Sequence, residues 1–123
     1  MERYNIAVVG TGPAGLEAAI TAKIRNKSIL LLGSKNLSNK VEKAHTIKNY
    51  LGLPEISGED LQSSFKKHLD QMDIEITEDK VNTVYAMGDY FAIQGHAGMY
   101  EAETVILAWP DRSPVNWKIL DVV

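Results

Sequence analysis

The chain contains no cysteine among its 123 residues. Disulfides, thiolate metal sites and any dithiol redox pair are therefore excluded within it. Long apolar runs are also absent. None approaches the ~20 residues that cross a bilayer, and Ile6–Val9 is too short for a signal-peptide core. No membrane partner is expected, and the expected location is cytoplasmic. Neither sign of charge dominates: 13 Lys and Arg against 16 Asp and Glu leave a net charge of −3, with the basic residues scattered. Nothing in that distribution provides a nucleic-acid footprint. Three histidines are present, no two at metal-ligand spacing, so no metal site is expected. Internal repeats and low-complexity segments are lacking. What is present is ordinary for a soluble globular protein, with 45% hydrophobic and 24% charged residues in one domain-sized chain.

The most informative stretch is Gly10-Thr11-Gly12-Pro13-Ala14-Gly15. It follows the apolar run Ile6-Ala7-Val8-Val9 and opens a helical pattern from Pro13 to about Arg25. A strand, then GxGxxG, then a helix near a chain start is the fingerprint of a dinucleotide site. Gly10 permits the tight turn, Gly12 admits a pyrophosphate without a Cβ in its path, and Gly15 lets the helix approach the sheet. Ala19 and Ala22 continue that small-residue stripe. Pro13 suits the first helical turn, and the helix N-terminus offers N–H groups and partial positive charge to phosphate.

Ser28–Leu32 reads as a second, continuously apolar strand of a parallel sheet. From Gly33 to Gly58 periodicity disappears, and a loop of that length inside a compact domain carries function or is disordered. Ser57 is the expected N-cap of a second helix whose apolar face is Leu61, Phe65, Leu69 and Met72. His68 is expected to be partly buried beside that face. Asp73–Thr77 alternates and reads as a short strand. Val81–Met87, Tyr90–Gln94 and Met99–Ala102 read as a three-stranded meander, with His96 solvated in its second turn. Val105–Ala108 reads as a further, buried parallel strand. The fold class expected is α/β, a Rossmann-like domain with a parallel sheet and a β-meander. A plain nicotinamide domain would instead continue to alternate strands and helices.

Gly10–Gly15, Asn49-Tyr50-Leu51-Gly52-Leu53-Pro54 and Ile56-Ser57-Gly58-Glu59-Asp60-Leu61 together resemble the FAD-binding part of the thioredoxin reductase family. The resemblance covers Tyr4 to Ala108. It implies a homodimeric flavoprotein with one FAD per subunit, moving electrons from a donor towards a protein disulfide such as that of thioredoxin. Carried over by position, Gly10, Gly12, Pro13, Ala14 and Gly15 match the turn that cradles the FAD pyrophosphate. Gly33 and Ser34 match the site of the adenosine ribose. Asn49 matches an asparagine near the flavin ring, with His45 and Thr46 in the neighbouring stretch. Lys80 and Val81 match the backbone that meets the adenine, and Ala108 the alanine ending a strand against the cofactor. No catalytic side chain is implied.

The sequence departs from that family at several places. Gly33 stands where many dinucleotide sites place an acid for the ribose 2′-OH, which argues against NAD. The glycine-rich start of the flavin loop is replaced by Leu37-Ser38-Asn39-Lys40-Val41, and Ala108-Trp109-Pro110 replaces a run of small residues. The expected division is residues 1–108 as the first portion of an FAD-binding domain and 109–123 as a tail outside the family pattern. Within that tail, Trp109 and Trp117 are expected to pack over an exposed edge. The resemblance further implies a second dinucleotide domain bearing CxxC and a closing strand and helix, none of which these residues contain. Two alternatives stay open: a catalytically silent module holding FAD or a smaller adenine nucleotide, and a nicotinamide-binding domain.

Overall fold

A computed structural model describes residues 1–35, 44–108 and, as backbone, 118–121. β1 (Arg3–Val9) fully buries Ala7, Val8 and Val9, so both faces of the strand are covered. β2 (Ile29–Gly33) runs parallel to it, from Ile6 opposite Ile29 to Val9 opposite Leu32. Between them α1 (Pro13–Ile24) sets Leu16, Ala19 and Ala22 towards the interior. The helix ends where Asn26 takes φ 60°, with Asn26 N–H donating to Lys23 O and Lys27 N–H to Ala22 O. This is a Schellman closure, in which asparagine tolerates the left-handed residue.

α2 (Gly58–Gln71) begins at Ser57, whose hydroxyl accepts the Asp60 N–H at 3.1 Å, while Glu59 and Asp60 face the positive end of the dipole. Leu61 and Leu69 are buried along the expected face, whereas His68 is exposed rather than partly buried. The helix closes as α1 does: Asp73 takes φ 53°, its N–H donates to Asp70 O, and Ile74 N–H donates to Leu69 O. That closure corrects the strand expected over Asp73–Thr77. Asp73 belongs to the helix terminus, so β3 is confined to Ile76–Glu78, parallel to β2.

β4 (Val81–Ala86), β5 (Phe91–Gly95) and β6 (Met99–Leu107) form the meander. Here the two strands expected at Met99–Ala102 and Val105–Ala108 are one. Its first half pairs antiparallel with β5, and Arg3 to Val9 of β1 pair parallel with Glu101 to Leu107. The polar pair Glu103-Thr104 that interrupts the apolar pattern is held at the strand by Asn5, whose Nδ2 donates to Glu103 at 3.3 Å while its carbonyl accepts from Thr104 Oγ1 at 2.8 Å. The end of this strand is also less covered than expected, Ile106 and Leu107 being 39% and 46% exposed. Beyond Ala102, β6 has no partner strand on its side away from β1 among the described residues.

β7 (Lys118–Asp121) adds parallel to β4 and completes a seven-stranded sheet of order β3-β2-β1-β6-β5-β4-β7. Val8, Leu31, Leu16, Ala19, Leu69 and Ile74 form the core on the face carrying both helices. On the other face the meander curls over β1 and β2, so that Val81, Val84, Ile93 and Ala102 meet Ala7, Val9, Leu30 and Leu32. The α/β class with a meander is thus the architecture observed. The expectations for Leu37–Val41, Trp109 and Trp117 fall outside the described residues. No described helix is long and apolar enough to cross a membrane.

Candidate functional site

The sheet order fixes where a ligand crevice lies. From β1 the chain runs outward through β2 and β3 on one side, then returns as β6 on the other side of β1. The carboxyl ends of β1 and β6 therefore flank a topological switch point, where open α/β sheets bind ligands. Gly10 leaves β1 at φ 118°, a conformation that L side chains rarely adopt, with its N–H donating to Leu32 O at 2.9 Å. At the end of β6, Ala108 N–H donates to Val9 O at 2.8 Å. A Cβ on Gly15 would stand 2.9 Å from Gly10 C, closer still to Gly10 O, and 3.4 Å from Ala108 Cβ. Only a glycine at 15 lets α1 begin this close to the turn and to the end of β6.

The start of α1 is open. Gly12 is its N-cap, no side chain caps it, Pro13 occupies the first turn, and no acid lies there. A Cβ built on Gly12 meets nothing within 4 Å. The first-turn N–H groups have no intrahelical acceptor and carry the positive end of the dipole. An uncapped, uncompensated helix start above empty space fits a phosphate or pyrophosphate.

At the end of β2 the space beside Gly33 is filled from the turn. A Cβ there would stand 2.5 Å from Thr11 Cγ2 and 2.8 Å from Thr11 Oγ1, and Thr11 Oγ1 donates to Ser34 O at 2.9 Å. Thr11 thus ties the glycine turn to β2 and leaves no room for an acid at 33. Further along, Gly33, Ser34, Glu78, Asp79 and Lys80 line a cavity of about 240 Å³. A cleft of about 510 Å³ lies elsewhere, bounded by Glu2, Tyr4, Ser28 and Ile29 at the amino ends of β1 and β2. That is the opposite end of the strands from the switch point.

Residues 44–57 form a small loop closed by the bridges Ile47 to Ile56 and Tyr50 to Leu53, with Gly52 at φ 89° near its tip. Tyr50 leans on Phe65 of α2, ring centroids 5.8 Å apart. His45, Thr46 and Asn49 are exposed along this loop.

The structure therefore gathers Gly10, Gly12, Pro13, Ala14, Gly15, Gly33, Ser34 and Ala108 around one end of the sheet. Lys80 joins Gly33 and Ser34 around the adjoining cavity. Val81 is 2% exposed, so its side chain is closed to a ligand. His45, Thr46 and Asn49 are on the 44–57 loop, whose Tyr50 and Leu53 share a cavity of about 260 Å³ with Pro13 and Leu16 of α1.

Two residues had no assigned role in the sequence. Thr11 stood unread inside the glycine motif, although its position between the first two glycines was visible. Asp79 carried no signal, since an acid ahead of a strand is common. It is nonetheless buried, accepting from Lys80 N–H at 2.7 Å, Ala97 N–H at 3.0 Å and Tyr100 Oη at 2.8 Å. Burial by itself would raise its pKa. The hydrogen bonds from Ala97, Tyr100, Lys80 and His96 outweigh that and hold the carboxyl below its ordinary value. Burial and the adjacent carboxylate together raise Tyr100.

An α/β sheet with an open helix start at its switch point and a meander on one side defines a dinucleotide-binding domain. The chain belongs to the pyridine nucleotide-disulphide oxidoreductase family, whose model matches residues 4–116. Among curated proteins, a thioredoxin reductase of Peptoclostridium litorale is 33% identical over 107 residues, 85% of this chain and 34% of that protein. A solved ferredoxin-flavin thioredoxin reductase of Clostridium acetobutylicum superposes with a TM-score of 0.85 at 52% identity, covering 94% of this chain and 41% of that one. The thioredoxin reductase of Streptococcus pyogenes MGAS5005 gives 0.78 at 30% identity, covering 85% and 34%. Within the family, the chain is thioredoxin-reductase-like. It spans about a third of the length of the curated relatives it matches.

Proposed function

We propose that these residues form the FAD-binding portion of a thioredoxin-reductase-like flavoprotein that passes electrons towards a protein disulfide. The observation that carries this reading is the uncapped start of α1 at the switch point, combined with a β2 end that Thr11 closes to an acid. The first feature suits a pyrophosphate. The second removes the acidic partner of an NAD ribose and weighs against a nicotinamide domain. Gly10, Gly12, Pro13, Ala14 and Gly15 would hold the pyrophosphate, Gly33 and Ser34 the adenosine ribose, and Lys80 and Val81 the adenine through backbone. Ala108 would close the crevice, while His45, Thr46 and Asn49 would face the flavin side. When bound, the isoalloxazine supplies the electron transfer. The chain's own part is to orient the nucleotide, shield it and set the charge around its phosphates.

The protein disulfide, a thioredoxin-like partner and the electron donor belong to this proposal. So does a cytoplasmic homo-oligomer, in which a second copy covers Ile106, Leu107 and the unpaired side of β6. Its check is light scattering at high concentration, where a strictly monomeric species would remove it. For the 123 residues by themselves, the absence of cysteine favours a second reading, nucleotide holding without turnover. Titration calorimetry with FAD, ADP and NAD separates the readings. FAD and ADP are expected to bind competitively and more tightly than NAD; stronger binding of NAD, or none of FAD and ADP, would overturn the FAD assignment.

A further inference from the structure

Asp79 is a polar group in the described core, 9% exposed, at the junction between β3 and β4. Its two oxygens reach three parts of the chain. Oδ1 accepts from the N–H of Lys80 at 2.7 Å and from that of Ala97, in the β5–β6 turn, at 3.0 Å. Oδ2 accepts from Tyr100 Oη, on β6, at 2.8 Å. The same turn returns a bond, His96 N–H donating to Lys80 O at 3.1 Å. Both peptide groups of Lys80 are thereby held.

The surroundings are shaped to this carboxylate. A Cβ on Gly95 would stand 2.5 Å from Asp79 Cγ and 2.7 Å from Oδ1, so the β5 end approaches only because residue 95 is glycine. Immediately after Lys80 the ladder between β4 and β5 slips, Val81 pairing with Gly95 but Thr83 with Gln94. Such bulges re-aim backbone next to functional sites. Glu78, Asp79 and Lys80 are also one wall of the cavity whose other wall is Gly33-Ser34, at the end of β2. In a dinucleotide fold the adenosine ribose lies at the end of the second strand, so the base extends into the adjoining space.

We infer that Asp79 is a positioning residue for the adenine base: its carboxylate, braced by Ala97 and Tyr100, fixes the Lys80 backbone that forms the far wall of the adenosine cavity. The inference rests on the nucleotide-binding reading above and adds to it the device that sets base selectivity. Asp79 touches no ligand in this scheme. It acts by holding the β4 start in one orientation, so that the Lys80 carbonyl, which keeps a second lone pair beside the bond from His96, is fixed to accept from a six-amino group and to repel a six-oxo oxygen.

The test uses ADP and GDP, which share ribose and phosphates and differ in the base. Affinities are measured by titration calorimetry for the full chain, Asp79→Ala, Asp79→Asn and Tyr100→Phe, each with a melting curve. The unsubstituted chain is expected to prefer ADP. In Asp79→Ala that preference should fall by about tenfold, and in Tyr100→Phe by about threefold to fivefold, with GDP affinity nearly unchanged. Asp79→Asn keeps one acceptor oxygen and should recover part of the preference. A parallel fall for both nucleotides, or an unchanged ratio, would overturn the inference and leave the nucleotide-binding reading standing. Failure of the unsubstituted chain to bind either nucleotide would overturn that reading instead, and the inference with it. Tyr100→Phe removes one hydroxyl only and decides the matter should Asp79→Ala not fold.

Discussion

Replacing Gly15 with alanine places a methyl group 2.9 Å from Gly10 C and closer still to Gly10 O. Both obstacles are backbone, and Gly10 is held by its bond to Leu32 O, so neither can swing aside. The helix must instead withdraw by about an ångström, loosening Leu16 and Ala19 from Val8 and Leu31. Overpacking of this kind costs about 1–3 kcal/mol. In a domain of this size that corresponds to a fall in melting temperature of roughly 5–15 °C. Gly12→Ala is the matched control, because a Cβ there meets nothing within 4 Å and its φ of −74° suits any residue. Losing glycine at the N-cap and restricting the unfolded chain act in opposite directions, each by about 0.5–1 kcal/mol, so stability should hardly change. Affinity for ADP and FAD should fall in Gly12→Ala and further in Gly12→Val, since the side chain enters the phosphate path. Differential scanning calorimetry and nucleotide titration on the three variants separate the effects. A Gly15→Ala variant melting with the unsubstituted chain, or a Gly12→Val variant with unchanged affinity, would refute this account of the turn.

Gly33→Ala should be destabilising because of Thr11, so the effect should shrink in Gly33→Ala with Thr11→Ala; a thermal-melt cycle with no coupling would contradict that packing. Because its folded carboxyl is held below the ordinary value, Asp79 contributes stability above about pH 4 that is lost as the pH falls through the folded value. Urea midpoints followed from pH 7 to pH 2.5 should therefore fall less steeply with acid in Asp79→Asn than in the unsubstituted chain. The 123 residues by themselves contain no cysteine and one GxGxxG, so NADPH-dependent reduction of added thioredoxin should be absent. Under the proposed reading, part of the FAD site is formed by residues outside these 123 and each hydrogen bond is worth ~1 kcal/mol, so absorbance of the 123 residues after extensive dialysis should show FAD well below one per chain.

The glycine turn, the first two strands, both helices and Ser57 as a cap were legible because their signals are local. A positive φ, a helix start and a both-faces-buried strand each restrict residue type within a few positions. The flavin-type motifs were legible as a family resemblance, and the matched family agrees with it. One misreading came from a local signal that was overlooked and the other from a contact distant in the chain. Asp73 looked like the first residue of an alternating strand, yet its left-handed backbone closes α2 through a bond from Ile74 to Leu69. Glu103-Thr104 looked like a break between two strands, yet Asn5, a neighbour only in space, carries β6 across it.

The sequence by itself determined the class of domain, the polarity of the first βαβ unit and the glycine turn that opens its helix. Those follow from backbone freedom and hydrophobic periodicity, which neighbouring residues impose on one another. Only the tertiary structure decided that Thr11 fills the space beside Gly33, and that the meander curls over the sheet. It also decided that Asp79 is a buried carboxylate rather than a surface charge. These depend on residues far apart in the chain: Gly95 makes room for Asp79, and Ala97 and Tyr100 satisfy its oxygens. A charge is buried only where such partners converge, and their convergence is a property of the folded sheet.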